Sequence, residues 1–309
     1  MDAVVLAEVL ALAGRDVPGL EADGWTPPVQ GAVGHVVGVR DASGSPLLLK
    51  IYPVARPRRR DTEVLAQRLL AAVPGPRVPR PVAQGNVDRF PGVSFLVMTR
   101  RGGTRWADRR ASMDAAGTTR LTREVGRALW GLHAVRGRWF GDLVDGGTRW
   151  PSAWAKAAAR SDDLLDRYVR TDGPPELAGR IRRFVAGCQA ALASCPGPVL
   201  CHNDVNDGNL LISATPDPRL SGIVDLERAS WDDPLNDLAK TRLHVRHHRP
   251  VDTPALIEAY GVDGADAQRR LDAYEVLHAL EERLWVAQDR PAGWRHSIDA
   301  LEAFLAART

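Results

Sequence analysis

Three polar side chains with fixed spacing lie in residues 199–228, and their types suit the transfer of a phosphoryl group. Asp204 follows an apolar run, Asn209 comes five residues later, and Asp225 ends another apolar run. One carboxylate can orient a hydroxyl and accept its proton, while an amide oxygen and a second carboxylate suit Mg²⁺, which prefers oxygen ligands. The pattern H-x-D-x-x-x-x-N, then a strand ending in Asp, predicts Asp204 as base and the other two as metal ligands.

An ordinary surface turn is the alternative for this stretch, because Asn, Asp and Gly are common turn residues. A turn, however, requires neither a His at the position of His202 nor an Asp at the end of the next apolar run. We therefore expect a strand, a polar loop, a hairpin and a second strand that bring the three groups together.

A lysine inside an apolar strand is the second candidate. Lys50 lies in LLLKIYP and is one of only three lysines in the chain. A buried ammonium without a partner is costly, so this side chain must reach either solvent or an anion. In a nucleotide site it would hold phosphates and be oriented by Glu63, which lies in the first turn of the helix predicted from Asp61. An exposed lysine on an edge strand is the alternative.

Two further stretches are weaker candidates for contacts with a nucleotide. Gly31 and Gly34 lie between two short predicted strands, where glycines let backbone N–H groups approach phosphates, although a plain hairpin turn explains them as well. After the apolar strand VSFLVMT, the backbone from Thr99 to Arg101 could hydrogen-bond a flat base, with Met98 behind it.

The elements that must position these residues follow from periodicity and breaker residues. Residues 2–13 predict a helix, TPPVQ and VVGVR predict short strands after Trp25, and the segment DTEVLAQRLLAAV predicts a helix ended by Pro74. We place a boundary after this sheet, which divides the chain into lobes 1–101 and 102–309. Beyond this boundary, periodicity predicts helices at residues 121–135, 151–170 and 176–194 and over most of the chain from Thr253.

Composition excludes several classes of protein. A net charge of +3 over 309 residues is too small to indicate nucleic-acid binding, and no apolar stretch is long enough for a membrane span of ~18 residues. The apolar N-terminus contains Asp2 and Glu8, which favours an amphipathic helix over a signal peptide. Cys188, Cys195 and Cys201 form no C-x-x-C pair, so we expect free thiols and a cytoplasmic protein.

With these motifs in view, the chain resembles the aminoglycoside phosphotransferase family and the related choline kinases. The loop CHNDVNDGNLLI is close to the choline-kinase version, whereas IVDLERASWDDPLNDLA and GLHAV are closer to the antibiotic kinases. The resemblance implies an α+β, bilobal protein-kinase-like fold with an antiparallel N-terminal sheet and a larger helical second lobe. Nucleotide and Mg²⁺ would lie between the lobes.

The resemblance also implies roles for individual residues. Asp204 would be the catalytic base, Asn209 and Asp225 the metal ligands, and Lys50, positioned by Glu63, the phosphate contact. His202 and Asp237 would support the structure, with Asp237 near a helix start or accepting backbone N–H groups of the catalytic loop. Our candidates for substrate contacts are Asp207, Glu281, Glu282 and Trp285.

The expected reaction is Mg²⁺-dependent transfer of the γ-phosphate of ATP or GTP to a hydroxyl of a small molecule, an antibiotic or natural product. The alternatives are a metabolic kinase acting on choline, homoserine or a sugar, and a degenerate kinase that only binds. We expect a monomer or homodimer with no nucleic-acid or membrane partner. Five arginines of the second lobe leave room for a neutral or anionic substrate: Arg242, Arg246, Arg249, Arg283 and Arg295.

Overall fold

The computed structural model describes residues 3–30, 34–53, 58–74 and 77–309. Within them, the helices in chain order are α1 Ala3–Ala13, α2 Arg59–Ala71, α3 Trp106–Arg109, α4 Ala115–Leu132, α5 Ala153–Arg170, α6 Pro175–Gly187, α7 Gln189–Ala193, α8 Pro234–His248, α9 Thr253–Tyr260, α10 Ala265–Asp289 and α11 Trp294–Arg308. The strands are β1 Glu21–Ala22, β2 His35–Arg40, β3 Pro46–Tyr52, β4 Pro81–Asn86, β5 Ser94–Thr99, β6 Thr104–Arg105, β7 Phe140–Asp142, β8 Arg149–Trp150, β9 Val199–Cys201, β10 Leu210–Ile212, β11 Leu220–Ile223 and β12 Ser230–Asp232. Single turns of 3-10 helix occur at Arg110–Ser112, Leu226–Arg228 and Pro250–Asp252.

The chain divides into two compact units, and each consists of separate segments. Unit 1 contains Met1–Ser112, Leu143–Asp145 and Asp207–Ala229. Unit 2 contains Met113–Asp142, Gly146–Asn206 and Ser230–Thr309. The α+β class expected from the sequence is confirmed, whereas the division into lobes 1–101 and 102–309 stays a prediction.

An antiparallel sheet of order β1-β2-β3-β5-β4 organises unit 1. Side chains of β3 alternate between its faces, as the two-residue period of a strand requires. Leu47, Leu49 and Ile51 enter an apolar core that also takes in residues of α1. Leu48 and Tyr52 join a smaller cluster on the other face with Val64 of α2. Lys50 belongs to this second face, so the strand itself directs the lysine toward α2.

Two sequence-based boundaries were wrong in this unit. TPPVQ forms no strand, and the edge strand is β1 at Glu21–Ala22 instead. Consecutive prolines at Pro27 and Pro28 lack N–H donors and have a fixed φ, which disfavours regular pairing there. Helix α2 begins at Arg59 rather than near Asp61, with Arg58 at its N-cap and no side-chain cap.

The remaining strands of unit 1 form a small sheet of order β11-β10-β6. The hairpin expected after the polar loop is present: β10 and β11 pair antiparallel, with Leu210 opposite Ile223. Strand β6 pairs with the other edge of β10, with Thr104 opposite Ile212.

Unit 2 is mainly helical and includes a four-stranded antiparallel sheet of order β8-β7-β12-β9. The face of α4 predicted to be apolar is buried in the structure, with Leu121, Val125, Leu129 and Leu132 all at most 1% exposed. Helix α10 packs against α8, α5 and α11. None of the helices in the described ranges is long and apolar enough to cross a membrane.

Candidate active site

Lys50 lies at the centre of a buried cluster of carboxylates in unit 1. Its Nζ donates to Glu63 Oε2 at 2.8 Å and to Asp225 Oδ1 at 2.7 Å, and it lies 3.0 Å from Glu227 Oε2. Lys50 is 5% exposed and Glu63 is 1% exposed. Residues far apart in the sequence therefore converge on one ammonium group.

The strand and helix around Lys50 hold this arrangement rigidly. Tyr52 Oη donates to Glu63 Oε2 at 2.6 Å, so Glu63 is fixed by two donors from β3. A Cβ on Gly34 would lie 3.1 Å from Lys50 Cε, which places the Gly34 backbone directly against the lysine stem. Burial opposes the charge, but the carboxylates of Glu63 and Asp225 raise the pKa of Lys50 well above its ordinary value. Lys50 is therefore a permanent cation in this cluster.

Asp225 has an unusual backbone conformation directly after β11. Its φ of +67° lies in the left-handed region, which non-glycine residues rarely adopt. Such strain persists only where surrounding contacts enforce it, and it is common at functional sites. The 3-10 turn that follows, Leu226–Arg228, packs against α2. This turn directs Glu227 back toward Lys50.

Glu227 is the cluster member that sequence reasoning missed. It is 6% exposed and its Oε1 accepts from Arg59 Nη1 at 3.2 Å. Burial raises the pKa of Glu227, although the nearby Lys50 counteracts this effect. Carboxylate oxygens of Glu63, Asp225 and Glu227 lie within 4.8 Å of one another. The available signal was the D-x-E spacing after an apolar strand.

Asn209 and Asp225 lie at the same end of the β10–β11 hairpin. The backbone carbonyl of Asn209 accepts the N–H of Val224 at 3.0 Å, directly before Asp225. The hairpin therefore delivers both predicted metal ligands from adjacent strands.

Asp204 belongs to unit 2 and is described with the residues of that unit. Its backbone N–H donates to His202 Nδ1 at 3.2 Å, and its Oδ1 accepts from Asn206 Nδ2 at 3.2 Å. His202 itself is fully buried. Contacts within the loop after β9 therefore help to organise it.

Asp237, near the start of α8, accepts hydrogen bonds from the backbone of this loop. Its Oδ2 accepts the N–H of His202 and its Oδ1 that of Asn203, each at 2.5 Å. His133 Nε2 lies 3.2 Å from Asp237 Oδ2, and its Nδ1 lies 2.7 Å from Tyr260 Oη. Burial alone would raise the pKa of Asp237, but the hydrogen bond and charge of His133 hold it below its ordinary value.

The residues predicted to contact a base lie at the end of β5. Gln67 Nε2 connects Met98 Sδ, at 3.3 Å, to Glu63 Oε1, at 3.4 Å. The N–H of Thr99 donates to Arg80 O at 2.9 Å and that of Arg100 to Pro46 O at 3.4 Å. The contact of Thr99 to Arg101 with a base stays a prediction. Gly31 lies outside the described residues, so its predicted role stays untested.

The substrate candidates are less uniform. Asp207 is buried and accepts from Arg110 in unit 1. In unit 2, Glu281 accepts from Arg160 at 2.7 Å, Glu282 is half-buried and Trp285 is 52% exposed, all on α10. Their roles stay predictions.

Comparison with known proteins identifies relatives of this chain. The model of the phosphotransferase enzyme family matches residues 24–280. None of the curated proteins compared matches the chain.

Solved structures extend the likeness over almost the whole chain. The GDP complex of wild-type aminoglycoside 2'-phosphotransferase-IIIa has a TM-score of 0.70 at 14% identity, with 100% of both chains covered. The GDP and kanamycin complex of APH(2")-IIia has a TM-score of 0.67 at 15% identity, covering 99% of this chain and 98% of the other. A ternary complex of a thermostable mutant of aminoglycoside phosphotransferase APH(4)-Ia with AMP-PNP and hygromycin B has a TM-score of 0.68 at 14% identity, covering 97% of each chain. At these identities the likeness shows the fold.

Proposed function

Because the chain belongs to the phosphotransferase enzyme family and is therefore a kinase acting on hydroxyl groups of small molecules, we propose that it transfers the γ-phosphate of ATP or GTP to an antibiotic or related natural product. The observation that carries the proposal is the convergence of Glu63, Asp225 and Glu227 on Lys50. A fixed cation beside carboxylates suits a site that binds nucleotide phosphates together with a metal.

The donor set of unit 1 fits Mg²⁺. Asn209, Asp225 and Glu227 offer only oxygen ligands, which this ion prefers. Glu227 Oε2 is buried and makes no hydrogen bond within the described part of the chain, although Lys50 Nζ is 3.0 Å away. Bound there, Mg²⁺ would neutralise negative charge on the phosphates.

The protein groups have separate tasks in the proposed reaction. Lys50, held by Glu63, binds and neutralises phosphate oxygens. Asp204 orients the acceptor hydroxyl and takes its proton late, because phosphoryl transfer passes through a loose transition state. The backbone hydrogen bonds from the loop to Asp237 keep that base in place.

An antibiotic acceptor is supported by the solved relatives, which include complexes with kanamycin and hygromycin B. Four of the five arginines named in the sequence analysis pair with carboxylates, which weakens their argument against a polycation. Arg242 and Arg246 pair with Glu275, Arg249 with Asp252 and Arg283 with Glu302. Trp294 stacks against Arg290 and Arg295, which argues against this tryptophan as part of a cage for a quaternary ammonium.

A substrate screen tests the proposal. The protein, Mg²⁺ and either ATP or GTP are incubated with panels of antibiotics and metabolites, and mass spectrometry detects the gain of one phosphate. Transfer to an antibiotic supports the proposal, whereas transfer to choline or another metabolite alone would overturn the assigned substrate class.

The role of Asp204 is tested by Asp204→Ala. The variant should keep nucleotide binding, measured by thermal shift, and lose about 10²- to 10⁴-fold in kcat. Asp166→Ala, an exposed change on α5, is the matched control and should keep normal turnover. Near-normal turnover of Asp204→Ala would show that the base is wrongly assigned.

A further inference from the structure

Asn203, directly before the proposed base, is held in a left-handed backbone conformation with φ of +64°. Asparagine tolerates this region better than most residues, but glycine adopts it without strain. Both ends of the Asn203 amide are bound: Nδ2 donates to Ser230 Oγ at 2.9 Å, and Oδ1 accepts from Asn236 Nδ2 at 2.9 Å. The side chain therefore has a use that glycine could not serve.

The hydrogen bonds continue from Asn236 toward the surface. Asn236 is 2% exposed, and its Oδ1 accepts from Arg160 Nη1 at 2.9 Å. Arg160 in turn donates through Nη2 to Glu281 Oε2 at 2.7 Å. Glu281 was predicted to contact substrate, yet its carboxylate already forms the outer end of this chain.

These side chains form a hydrogen-bond chain, and the donor-to-acceptor direction along it is set by groups that can only donate. Arg160 has no acceptor, so Asn236 must turn its oxygen toward Arg160 and its NH₂ toward Asn203. Asn203 must then present its own NH₂ to Ser230. Lys156, likewise only a donor, lies 3.0 Å from Ser230 Oγ and holds that oxygen as an acceptor. Neither asparagine amide can flip without losing bonds.

His278 contacts two members of this hydrogen-bond chain. Its Nε2 lies 3.0 Å from the carbonyl oxygen of Asn236, and its Nδ1 lies 3.0 Å from Arg160 Nη2. These partners require Nε2 to donate and Nδ1 to accept, which is the pattern of a neutral imidazole. Burial, reinforced by the Arg160 charge, lowers the pKa of His278 to about 3, in agreement with that state.

We propose that Asn203 is a positioning residue for Asp204. The one-directional hydrogen-bond chain Arg160–Asn236–Asn203–Ser230 fixes the orientation of the Asp204 carboxylate relative to the loop. The inference rests on the proposed role of Asp204 as base. Asp237 accepts backbone N–H groups of this loop, whereas the hydrogen-bond chain holds the Asn203 side chain and so restricts rotation of the backbone at the residue before the base.

Asn203→Gly tests the proposal because glycine keeps the backbone conformation and removes only the side-chain bonds. We expect kcat to fall about tenfold to hundredfold, since small misplacements of a reacting group are costly. KM and nucleotide affinity should change less than twofold, because no substrate contact is removed. Asp172→Gly is the matched control: Asp172 has φ of +60° in an exposed loop, and its kcat should stay unchanged.

Asn236→Ala, alone and combined with Asn203→Gly, tests whether the hydrogen-bond chain acts as a unit. The losses in kcat should not multiply, because either change interrupts the same chain. Multiplicative losses, or a kcat of Asn203→Gly within twofold of the parent, would overturn the proposal.

A readout independent of turnover separates this inference from the proposed function. Amide hydrogen exchange without substrate should be at least tenfold faster at residues 202–206 in Asn203→Gly than in Asp172→Gly. Unchanged exchange there would refute the positioning role even in an active enzyme. Faster exchange in a protein that phosphorylates nothing would support the chain as the holder of this loop, while the proposed function fails.

Discussion

Replacing Lys50 by methionine keeps most of the unbranched side chain and removes the charge that balances three carboxylates. The ammonium contacts Glu63 and Asp225 at 2.8 and 2.7 Å and Glu227 at 3.0 Å. Without it, carboxylate oxygens within 4.8 Å of one another remain, while Glu227 keeps its contact with Arg59 at 3.2 Å.

The size of the penalty follows from these distances. At 4.8 Å, the upper limit of the oxygen separations in this cluster, two carboxylates repel by about 3.5 kcal/mol at an effective dielectric constant of ~20. The protein can avoid this by protonating one carboxylate, which costs about 1.4 kcal/mol per pH unit above a pKa of ~4.3, hence about 5 kcal/mol at pH ~8 and about 2 at pH ~6. Asp225 is one-third exposed, so water screens part of its repulsion. We expect Lys50→Met to lower the free energy of unfolding by about 3–5 kcal/mol at pH ~8.

The loss should shrink at lower pH. In the variant, burial raises the pKa of Glu227 without the opposing effect of Lys50, so the folded state binds a proton more readily than the unfolded chain and the penalty grows as pH rises. At pH ~6 we expect about half the loss seen at pH ~8. Millimolar Mg²⁺ should stabilise the variant more than the parent, since the unpaired oxygens attract a cation.

Urea unfolding followed by tryptophan fluorescence measures these differences. Lys240→Met on α8, a half-buried lysine, is the control and should cost less than about 1 kcal/mol. Adding Glu227→Gln to Lys50→Met should recover part of the loss, because one repelling charge is removed. Equal losses for Lys50→Met and Lys240→Met at both pH values would refute the account of a balanced cluster.

Two further predictions concern stability elsewhere. His278 has a pKa of about 3 in the folded protein, so below pH 6.5, the ordinary pKa of histidine, it is protonated in the unfolded chain and neutral in the folded one. The free energy of unfolding should therefore fall by about 1.4 kcal/mol per pH unit on acidification. In urea titrations, His278→Gln should remove that slope. Equal slopes would mean that the imidazole is not held neutral. A Cβ at Gly38 would lie 2.3 Å from Asp23 Oδ1 and 2.8 Å from Trp25 Cβ, so Gly38→Ala should cost about 1–3 kcal/mol in calorimetry. Gly187→Ala on α6, which has no heavy atom within 4 Å of the added carbon, should be neutral or stabilising, and a similar loss there would contradict the steric explanation.

The parts of the site set by local chain geometry could be predicted from the sequence. The spacing of Asp204, Asn209 and Asp225 reflects a strand, a loop and a hairpin, and each of these leaves its own periodic signal. The Lys50–Glu63 contact follows from a strand lysine and an acid near the start of the next helix. The roles of these residues in catalysis stay predictions.

The remaining features of the site and of the fold depend on packing that no local sequence pattern encodes. Glu227 follows an apolar strand, but the left-handed conformation of Asp225 and the turn after it are what bring its side chain inside. The bonds of Asn203 to Ser230 and Asn236 join residues 27 and 33 positions apart through the packing of α5, α8 and β12. Strand β1 has two exposed residues, so its sequence carries no apolar alternation to detect.

Unit 1 is built from segments that lie far apart in the sequence, and this has a consequence for synthesis on the ribosome. Strand β6, at Thr104–Arg105, pairs with the distant strand β10, and Lys50 contacts Asp225 across 175 positions. Contacts of such sequence separation form slowly and only once both segments are available. The N-terminal segment must therefore wait with an unpaired strand edge and an incompletely neutralised lysine until Ala229 has emerged. Translation speed through residues 113–206 thus sets how long this edge is exposed to chaperones or to aggregation.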